Sequence, residues 1–138
     1  MKKEEKLPLT PEEELQVLID KAKKKHGRVY KTILADEVII WRMLKRSEYK
    51  EIMNMVAYRE EFAVDENGDF LLDEQGNNII DYKEDDELTY ELRQEEIAKA
   101  VILYPLGIVD NMAAVADIIS TECMIKSGFG EAPTTEQC

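Results

Sequence analysis

Apolar residues recur at helical spacing in the last third of the chain. Residues 96–104 suit a mostly buried helix, with apolar positions at Ile97, Val101, Ile102 and Tyr104. Pro105 is expected to end this helix, because the residue before a proline is pushed out of the α region. Asp110 is then predicted to cap a second helix. Its buried stripe would consist of Met112, Val115, Ala116, Ile119 and Cys123. Gly128 suits the left-handed position beyond that helix, and Phe129 can fold back on the helix end.

The first third of the chain begins with a strong helix signal. Thr10 can serve as the N-cap, Pro11 fits the first helical position, and Glu13 completes a capping box. The apolar face of this helix would consist of Leu15, Leu18, Ile19 and Ala22. Gly27 is expected to stop the helix after a run of lysines. That basic run is short and has no interleaved aromatics, so direct nucleic-acid binding is not predicted.

Alternating and β-branched residues follow that glycine. Residues 28–34 and 38–41 each predict a short strand, and residues 35–37 predict the turn between them. The two strands would form a hairpin with one face on the core. Trp41, the single tryptophan, is expected to anchor that core rather than to bind a ligand.

A further helix is predicted over residues 47–62. Ser47 is a good N-cap, and Glu48 and Glu51 would lie in the first turn, where carboxylates interact favourably with the helix dipole. Its buried face would consist of Tyr49, Ile52, Met53, Val56 and Ala57.

An eight-residue repeat occupies the middle of the chain. Residues 65–72 read DENGDFLL and residues 73–80 read DEQGNNII, so each unit places a turn dipeptide before a short apolar run. This pattern predicts one or two small β-hairpins. Residues 81–87 are expected to form a charged linker, after which a helix resumes at Leu88.

Metal-binding patterns are weak in this sequence. Counting from Asp65, the glycine of a calcium loop falls at position 4 instead of the required position 6, and position 12 is Gly76. Cys123 and Cys138 do not make a disulfide framework. Because His26 is the single histidine, a Cys/His zinc site is excluded. No cofactor or metal is expected.

The net charge of −12 is concentrated in one segment. Residues 59–96 hold 15 of the 30 acidic residues and 3 of the 18 basic ones, so the rest of the chain is neutral. A block of one sign is typical of a solvated, flexible connection. The functional alternatives are a site for a basic partner, or a surface that keeps an aggregation-prone client soluble.

Motifs for most chemistry are missing. The sequence has no glycine-rich phosphate loop and no GxSxG, HExxH or CxxC motif, so an enzyme is not expected. No apolar run approaches the ~20 residues of a membrane span, and the charged lead of residues 1–9 lacks the apolar core of a secretory signal. These observations predict a protein of the cytoplasm, or of a particle assembled there, with no membrane partner.

Two stretches resemble small tail or baseplate assembly chaperones of contractile-tailed bacteriophages. One is the VILYP run of residues 101–105, followed by a helix that closes on IKSGF at residues 125–129. The other is a strand pair followed by WRMLKRSEY at residues 41–49. In these phage proteins a similar LYP element precedes a helix ending in serine-glycine-phenylalanine. The resemblance covers residues 28–57 and 96–129.

Together these patterns predict an α+β fold: a small antiparallel β-hairpin packed against about four helices, with an acidic β-hairpin insertion. Residues 1–129 would form one assembly-factor domain with the insertion at residues 63–87, and residues 130–138 a polar tail. The resemblance implies a non-enzymatic chaperone that binds a phage tail or baseplate structural protein. A groove among apolar helix faces would bind this client, while the acidic insertion limits self-association.

Candidate partner-binding residues lie on the two matched stretches. They are Trp41, Arg42, Tyr49, Tyr104, Pro105 and Phe129. Two other functions stay open: a structural virion protein retained in the tail or baseplate, and an acidic nucleic-acid mimic that inhibits a host DNA-binding protein. A homo-oligomer is also compatible with the sequence.

Overall fold

A three-stranded antiparallel sheet, a helical layer and a projecting two-stranded sheet make up the described part of the chain. The computed structural model describes residues 8–128 and 135–137. The elements are α1 (Pro11–His26), β1 (Val29–Leu34), β2 (Glu37–Arg42), α2 (Arg46–Met53), β3 (Tyr58–Phe62), β4 (Ile80–Glu84), α3 (Asp86–Val101), β5 (Ile102–Tyr104), α4 (Ile108–Asn111) and α5 (Ala113–Lys126). This architecture confirms the predicted α+β class. The predictions for Phe129, Cys138, residues 1–7 and residues 130–134 lie outside the described residues, and residues 135–137 are exposed without regular structure.

The predicted cap at Thr10 and the stop at Gly27 are confirmed, but Glu13 does not close the predicted capping box, because its carboxylate accepts from the Thr10 hydroxyl at 3.1 Å instead of from the Thr10 backbone N–H. Thr10 caps α1 by accepting a hydrogen bond from the Glu13 backbone N–H at 3.2 Å, and Gly27 ends the helix with a φ of 81°. The β1–β2 hairpin pairs Leu34 with Glu37, so its turn has only two central residues. Ala35 and Asp36 both have positive φ, 47° and 65°, which is the signature of a type I′ turn.

Strand β2 is the centre of the fold. It lies between β1 and β5, and three consecutive side chains, Ile39, Ile40 and Trp41, are at most 1% exposed. Because neighbouring side chains of a strand point to opposite faces, both faces of β2 are covered. The sequence predicted that only one face of the hairpin would meet the core.

The helical layer packs α3 against α5 on the Trp41 side of the sheet. The predicted α5 stripe is confirmed, since Val115, Ile119 and Cys123 are fully buried. The core cluster is completed by Ile39, Trp41, Ile52, Ile97, Ala98, Val101, Ile102 and Ile108. The apolar faces of these helices are therefore largely occupied by one another and by β2.

The helix predicted over residues 96–104 ends earlier than expected. It stops at Val101, and Ile102–Tyr104 becomes strand β5, which pairs with β2. The Tyr104 side chain is 41% exposed, so its predicted burial is wrong. Pro105 favours extended backbone just before it, and the free edge of β2 turns that local preference into a strand.

The start of the last helix also differs from the prediction. Gly107 precedes the short helix α4 with a φ of 80°, and Asp110 lies inside α4 instead of capping α5. Helix α5 follows Met112, whose side chain makes no capping hydrogen bond. At the other end, Gly128 takes the predicted left-handed conformation, with a φ of 93°.

Helix α2 begins slightly earlier than predicted and ends much earlier. Its N-cap is Lys45 instead of Ser47, and the Lys45 backbone N–H donates to the Glu48 carboxylate at 2.9 Å. The helix ends at Met53 because α3 supplies a competing partner: Arg93 donates to the carbonyl oxygens of Met53 and Met55 at 2.9 and 3.1 Å. A cation at this position also suits the negative end of the helix dipole.

The chain beyond α2 forms strands where a helix and a linker were predicted. Tyr58–Phe62 is β3 and pairs antiparallel with Ile80–Glu84, which is β4. Helix α3 then begins at Asp86 instead of Leu88, and the Asp85 side chain caps it by accepting from the Leu88 N–H at 2.9 Å. Residues 58–84 form a projecting unit that we call the β-arm.

Candidate functional site

The two stretches that carry the family resemblance meet in the central sheet. Ile40 is paired with Tyr104, and Trp41 is paired with Ile102. Trp41-Arg42 and Tyr104-Pro105 therefore lie on adjacent strands although about 60 residues separate them in sequence.

Trp41 belongs to the interior, as predicted. Its ring is 1% exposed, stacks on Tyr30 with a centroid distance of 4.6 Å, and donates its Nε1–H to the Thr32 hydroxyl at 2.9 Å. The hydrogen bond satisfies the polar atom that burial would otherwise leave without a partner. A protein partner has no access to this side chain in the folded chain.

Arg42 joins three elements. Its guanidinium donates to both carboxylate oxygens of Glu48 in α2, at 2.7 and 2.8 Å. It also donates to the carbonyl oxygen of Ala100 near the end of α3, at 2.7 Å. The Arg42 and Glu48 side chains are 12% and 25% exposed, so water screens this fork-shaped ion pair only in part. Its geometry fits a structural role.

The ion pair stabilises the charged form of both partners. The hydrogen bond from Arg42 lowers the pKa of the Glu48 carboxyl, against the opposing effect of burial. The same hydrogen bond raises the pKa of Arg42. Neither group is therefore poised for proton transfer near neutral pH.

The remaining candidate residues differ in accessibility. Tyr49 is half-buried on α2, Tyr104 is 41% exposed, and Pro105 follows it through a cis peptide bond. Phe129 lies outside the described residues. The structure thus brings Trp41, Arg42, Tyr104 and Pro105 together, and only Tyr104 of these four presents much surface.

The β-arm contains a surface that the sequence interpretation missed. Residue pairs Tyr58–Glu84, Glu60–Tyr82 and Phe62–Ile80 lie opposite each other across β3 and β4. Since side chains alternate between faces along a strand, these six residues share one face. Four of them are large and apolar, and each is about half exposed or more, from 48% at Ile80 to 61% at Tyr82.

The opposite face of the arm is charged and internally paired. The Glu61 carboxylate forms ion pairs with Arg59 at 2.7 Å and with Lys83 at 3.1 Å. Arg59 also lies 3.6 Å from the Asp85 carboxylate. The hydrogen bond from Lys83 is the largest cause of the lowered pKa of Glu61. The arm therefore has one face suited to water and one face suited to burial.

The eight-residue repeat builds the tip of the arm, and the predicted turns are confirmed. Asp65 accepts backbone N–H bonds from Asn67 and Asp69 through one carboxylate oxygen, at 2.9 and 3.0 Å. Asp73 does the same for residues 75 and 77, at 2.9 Å each. These carboxylates serve as turn formers.

A closed set of backbone hydrogen bonds joins the two turns to the arm. Ala63 donates to Ile79, Ile79 donates to Leu71, and Leu71 donates to Ala63, at 2.8, 3.1 and 2.9 Å. These three residues lie eight positions apart, so the eight-residue repeat places one hydrogen-bonding residue in each of the three segments that meet at the tip. The hydrogen-bonded tip gives the arm a defined shape instead of the flexible connection that its charge suggested.

The apolar face continues from the strands into this tip. Val64 bridges to Phe70, and the Phe70 ring meets Phe62 edge-on at a centroid distance of 5.7 Å. A groove of about 480 Å³ lies here, lined by Glu60, Glu61, Phe62, Val64, Phe70 and Ile80. We define the apolar face of the arm as Tyr58, Phe62, Val64, Phe70, Ile80 and Tyr82.

The sequence did contain a signal for this face. In β4, Ile80 and Tyr82 alternate with Asp81 and Lys83, which is a period of two. In β3, Tyr58 and Phe62 lie four residues apart, a spacing that a strand and a helix share. The helical pattern of residues 47–57 masked it, because the preceding apolar positions could be extended to Phe62 at helical spacing. The distant partner strand β4 decides between the two readings.

Two other grooves flank α3. One of about 420 Å³ is mainly apolar and is lined by Met53, Tyr90, Arg93, Gln94, Ile97, Ser120, Thr121, Met124 and Ile125. The other is lined by Tyr90, Glu91, Gln94, Glu95, Val109, Ala113, Ala116 and Asp117, a set without histidine, cysteine, serine or lysine. In the part of the chain that the structure describes, no three cysteine, histidine or carboxylate side chains are placed to hold a metal ion.

None of the helices in the described residues combines the length and the apolar content needed to cross a bilayer. No protein-family model, curated protein or solved structure matches this chain.

Proposed function

We propose that this chain is a non-enzymatic assembly chaperone of a contractile-tailed bacteriophage, and that it binds a tail or baseplate structural protein. The resemblance of residues 28–57 and 96–129 supplies the class of client. The exposed apolar face of the β-arm supplies the means of binding, and this face is the observation that carries the proposal.

The size of that face supports a binding role. Its six side chains are between 48% and 62% exposed. With about 150–200 Å² for each large side chain, the exposed half of the set amounts to roughly 500 Å². The largest apolar patch on a typical monomer covers about 300–600 Å², and patches of this size are often functional.

The binding surface that we propose differs from the one expected from the sequence. The apolar faces of α3 and α5 meet each other, and Val101, Val115 and Ile119 are fully buried between them. What remains open between these helices are the two grooves described above, of which the one beside Met53 and Met124 is mainly apolar. The arm adds an apolar face outside the core, and its carboxylates keep the chain dispersed in water until a client covers that face.

Co-expression tests this function. The chain is produced together with each tail and baseplate protein encoded near it, and the soluble fraction of each candidate client is measured with and without the chain. We expect one client to gain solubility and to copurify at a fixed ratio. Unchanged solubility and no copurification for every candidate would refute the proposal.

Particle composition separates a chaperone from a retained structural protein. A chaperone should leave the assembly, so mass spectrometry of purified virions should not recover the chain at a fixed copy number. An integer copy number in finished particles would instead identify a tail or baseplate component.

An acidic nucleic-acid mimic fits the arm less well. A mimic presents carboxylates to a basic protein, whereas one face of the arm presents aromatic and aliphatic side chains. Neutralising Glu66, Asp69 and Glu74 at the tip, which leaves Glu60, Glu84 and the turn-forming aspartates unchanged, should therefore leave client binding mostly intact if the apolar face dominates.

A further inference from the structure

Two carboxylates lie within the apolar face of the β-arm. Glu60 stands opposite Tyr82, and Glu84 stands opposite Tyr58, across the β3–β4 ladder. Glu61 on the other face forms ion pairs with Arg59 and Lys83, but neither Glu60 nor Glu84 takes part in an ion pair within the described residues. The face therefore combines apolar area with two negative charges that the described residues leave without an ion-pair partner.

The charge of the whole arm restricts what can cover this face. Residues 58–84 contain nine acidic and two basic residues, and the chain as a whole has a net charge of −12. A second copy would bring equal charge into contact, and like charges placed together oppose association. A cationic partner gains attraction from the same carboxylates and can place a Lys or Arg over the exposed tyrosine rings.

The order of side chains along β3 indicates an extended partner. On this face Tyr58, Glu60, Phe62 and Val64 follow one another at two-residue intervals, about 6.6 Å apart. An extended segment that alternates outward and inward side chains has the same interval. One of its cations can meet Glu60 while the apolar residues on either side meet Tyr58 and Phe62.

We infer that the apolar face of the β-arm binds an extended segment of a partner protein in which lysine or arginine side chains are interspersed with apolar ones. This inference rests on the proposed function for the biological partner, but the chemistry of the face can be tested without that partner. The carboxylates favour a positively charged segment, and the aromatic side chains provide most of the contact area.

Peptide binding to the full chain tests the inference. The probe is a fluorescently labelled 12-residue peptide that repeats valine-serine-lysine-serine, so that valine and lysine alternate along one face of the extended chain. Binding is measured by anisotropy at about 150 mM salt, where the Debye length is about 8 Å. One comparison peptide replaces each valine by serine and another replaces each lysine by glutamate. We expect the lysine–valine peptide to bind at least about tenfold more tightly than either comparison peptide.

Two charge reversals provide a matched pair of variants. Glu60→Lys changes the charge on the apolar face, and Asp81→Lys makes the same change on the opposite face of the same two strands. We expect Glu60→Lys to weaken binding of the lysine–valine peptide about tenfold and Asp81→Lys to weaken it less than about threefold. Phe62→Ser, which removes apolar area without changing charge, should also weaken it about tenfold.

Several results would overturn the inference. These are equal effects of the two charge reversals, equal binding of the lysine–serine peptide, and a chain that is already a dimer and that Phe62→Ser converts to a monomer. Trp41 fluorescence reports whether the core of each variant is intact, and Glu60→Lys keeps the test valid if Phe62→Ser disturbs the arm.

The proposed function fails separately from this inference. If a tail or baseplate client copurifies but its affinity is unchanged by Glu60→Lys and Phe62→Ser, the inference is wrong and the chaperone function stands. If the peptide shows the expected preferences but no tail or baseplate protein binds, the inference stands and the chaperone function is wrong.

Discussion

Removing Arg42 should destabilise the fold more than any surface ion pair could. In Arg42→Met, the Glu48 carboxylate loses both guanidinium hydrogen bonds and the Ala100 carbonyl loses its donor. Breaking a fully buried ion pair costs about 3–5 kcal/mol, whereas exposed pairs contribute about 0–1 kcal/mol. With side chains 12% and 25% exposed, we expect an intermediate loss of about 2–3 kcal/mol.

Urea denaturation followed by the fluorescence of Trp41, the single tryptophan, measures this loss. Glu48→Gln and the double variant complete a cycle, in which we expect a coupling energy of about 1–2 kcal/mol. The matched control is Glu95–Lys99, an ion pair of similar length, 2.9 Å, whose side chains are 43% and 44% exposed. Its cycle should give a coupling energy well below that of the Arg42–Glu48 cycle, because water screens exposed charges.

The same pair predicts a pH dependence. Because Arg42 lowers the pKa of Glu48 in the folded state, the unfolded chain binds this proton more readily. The stabilisation is therefore complete above the ordinary glutamate pKa of about 4.3 and is lost as pH falls through the lower folded value. The stability difference between the native chain and Glu48→Gln should shrink steadily as pH falls below about 5.

Two outcomes would refute this reasoning. One is an Arg42→Met variant that loses less than about 0.5 kcal/mol, which would place Arg42 with ordinary surface residues. The other is a coupling energy no larger than that of the control pair, which would mean that packing of the arginine stem, and not its charge, holds the three elements together.

Two further predictions concern the turn and the buried thiol. Ala35 has a φ of 47°, which is unfavourable for alanine. In urea denaturation, Ala35→Asn should therefore raise the free energy of unfolding by about 0.5–1 kcal/mol, and Ala35→Val should lower it. A lower stability of the asparagine variant would contradict this account. Cys123 is fully buried and burial raises the pKa of its thiol, so in a Cys138→Ser background it should react with a thiol reagent only as fast as the chain opens. Immediate labelling of the native chain, at the rate seen in urea, would show that the thiol is accessible.

Local sequence determined the elements whose signals lie within a few residues of one another. The Thr10 cap, the stop at Gly27 and the buried stripe of α5 all follow from side chains that are neighbours on one helix or turn. The two aspartate turns of the β-arm follow from their eight-residue repeat. Each of these features is stabilised mainly by contacts that are short in sequence, which is why the pattern alone predicted them.

Tertiary structure decided the features whose partners are remote. Residues 102–104 are a strand because β2 has a free edge, and α2 ends early because Arg93 binds carbonyl oxygens 38 and 40 residues away. Arg42 donates a hydrogen bond to the carbonyl oxygen of Ala100, which lies 58 residues away in sequence. A local preference for helix or strand differs by only a few tenths of a kcal/mol per residue, so such long-range partners override it.

The apolar face of the β-arm shows the same division most clearly. The alternation of residues 80–83 contains the information that one face of this strand would be apolar. Whether the chain covers that face depends on where α2, α3 and α5 pack, and they pack against β2 and one another. Periodicity determines which side chains lie together on a surface, and only the packing of the whole chain determines which surface is left for a partner.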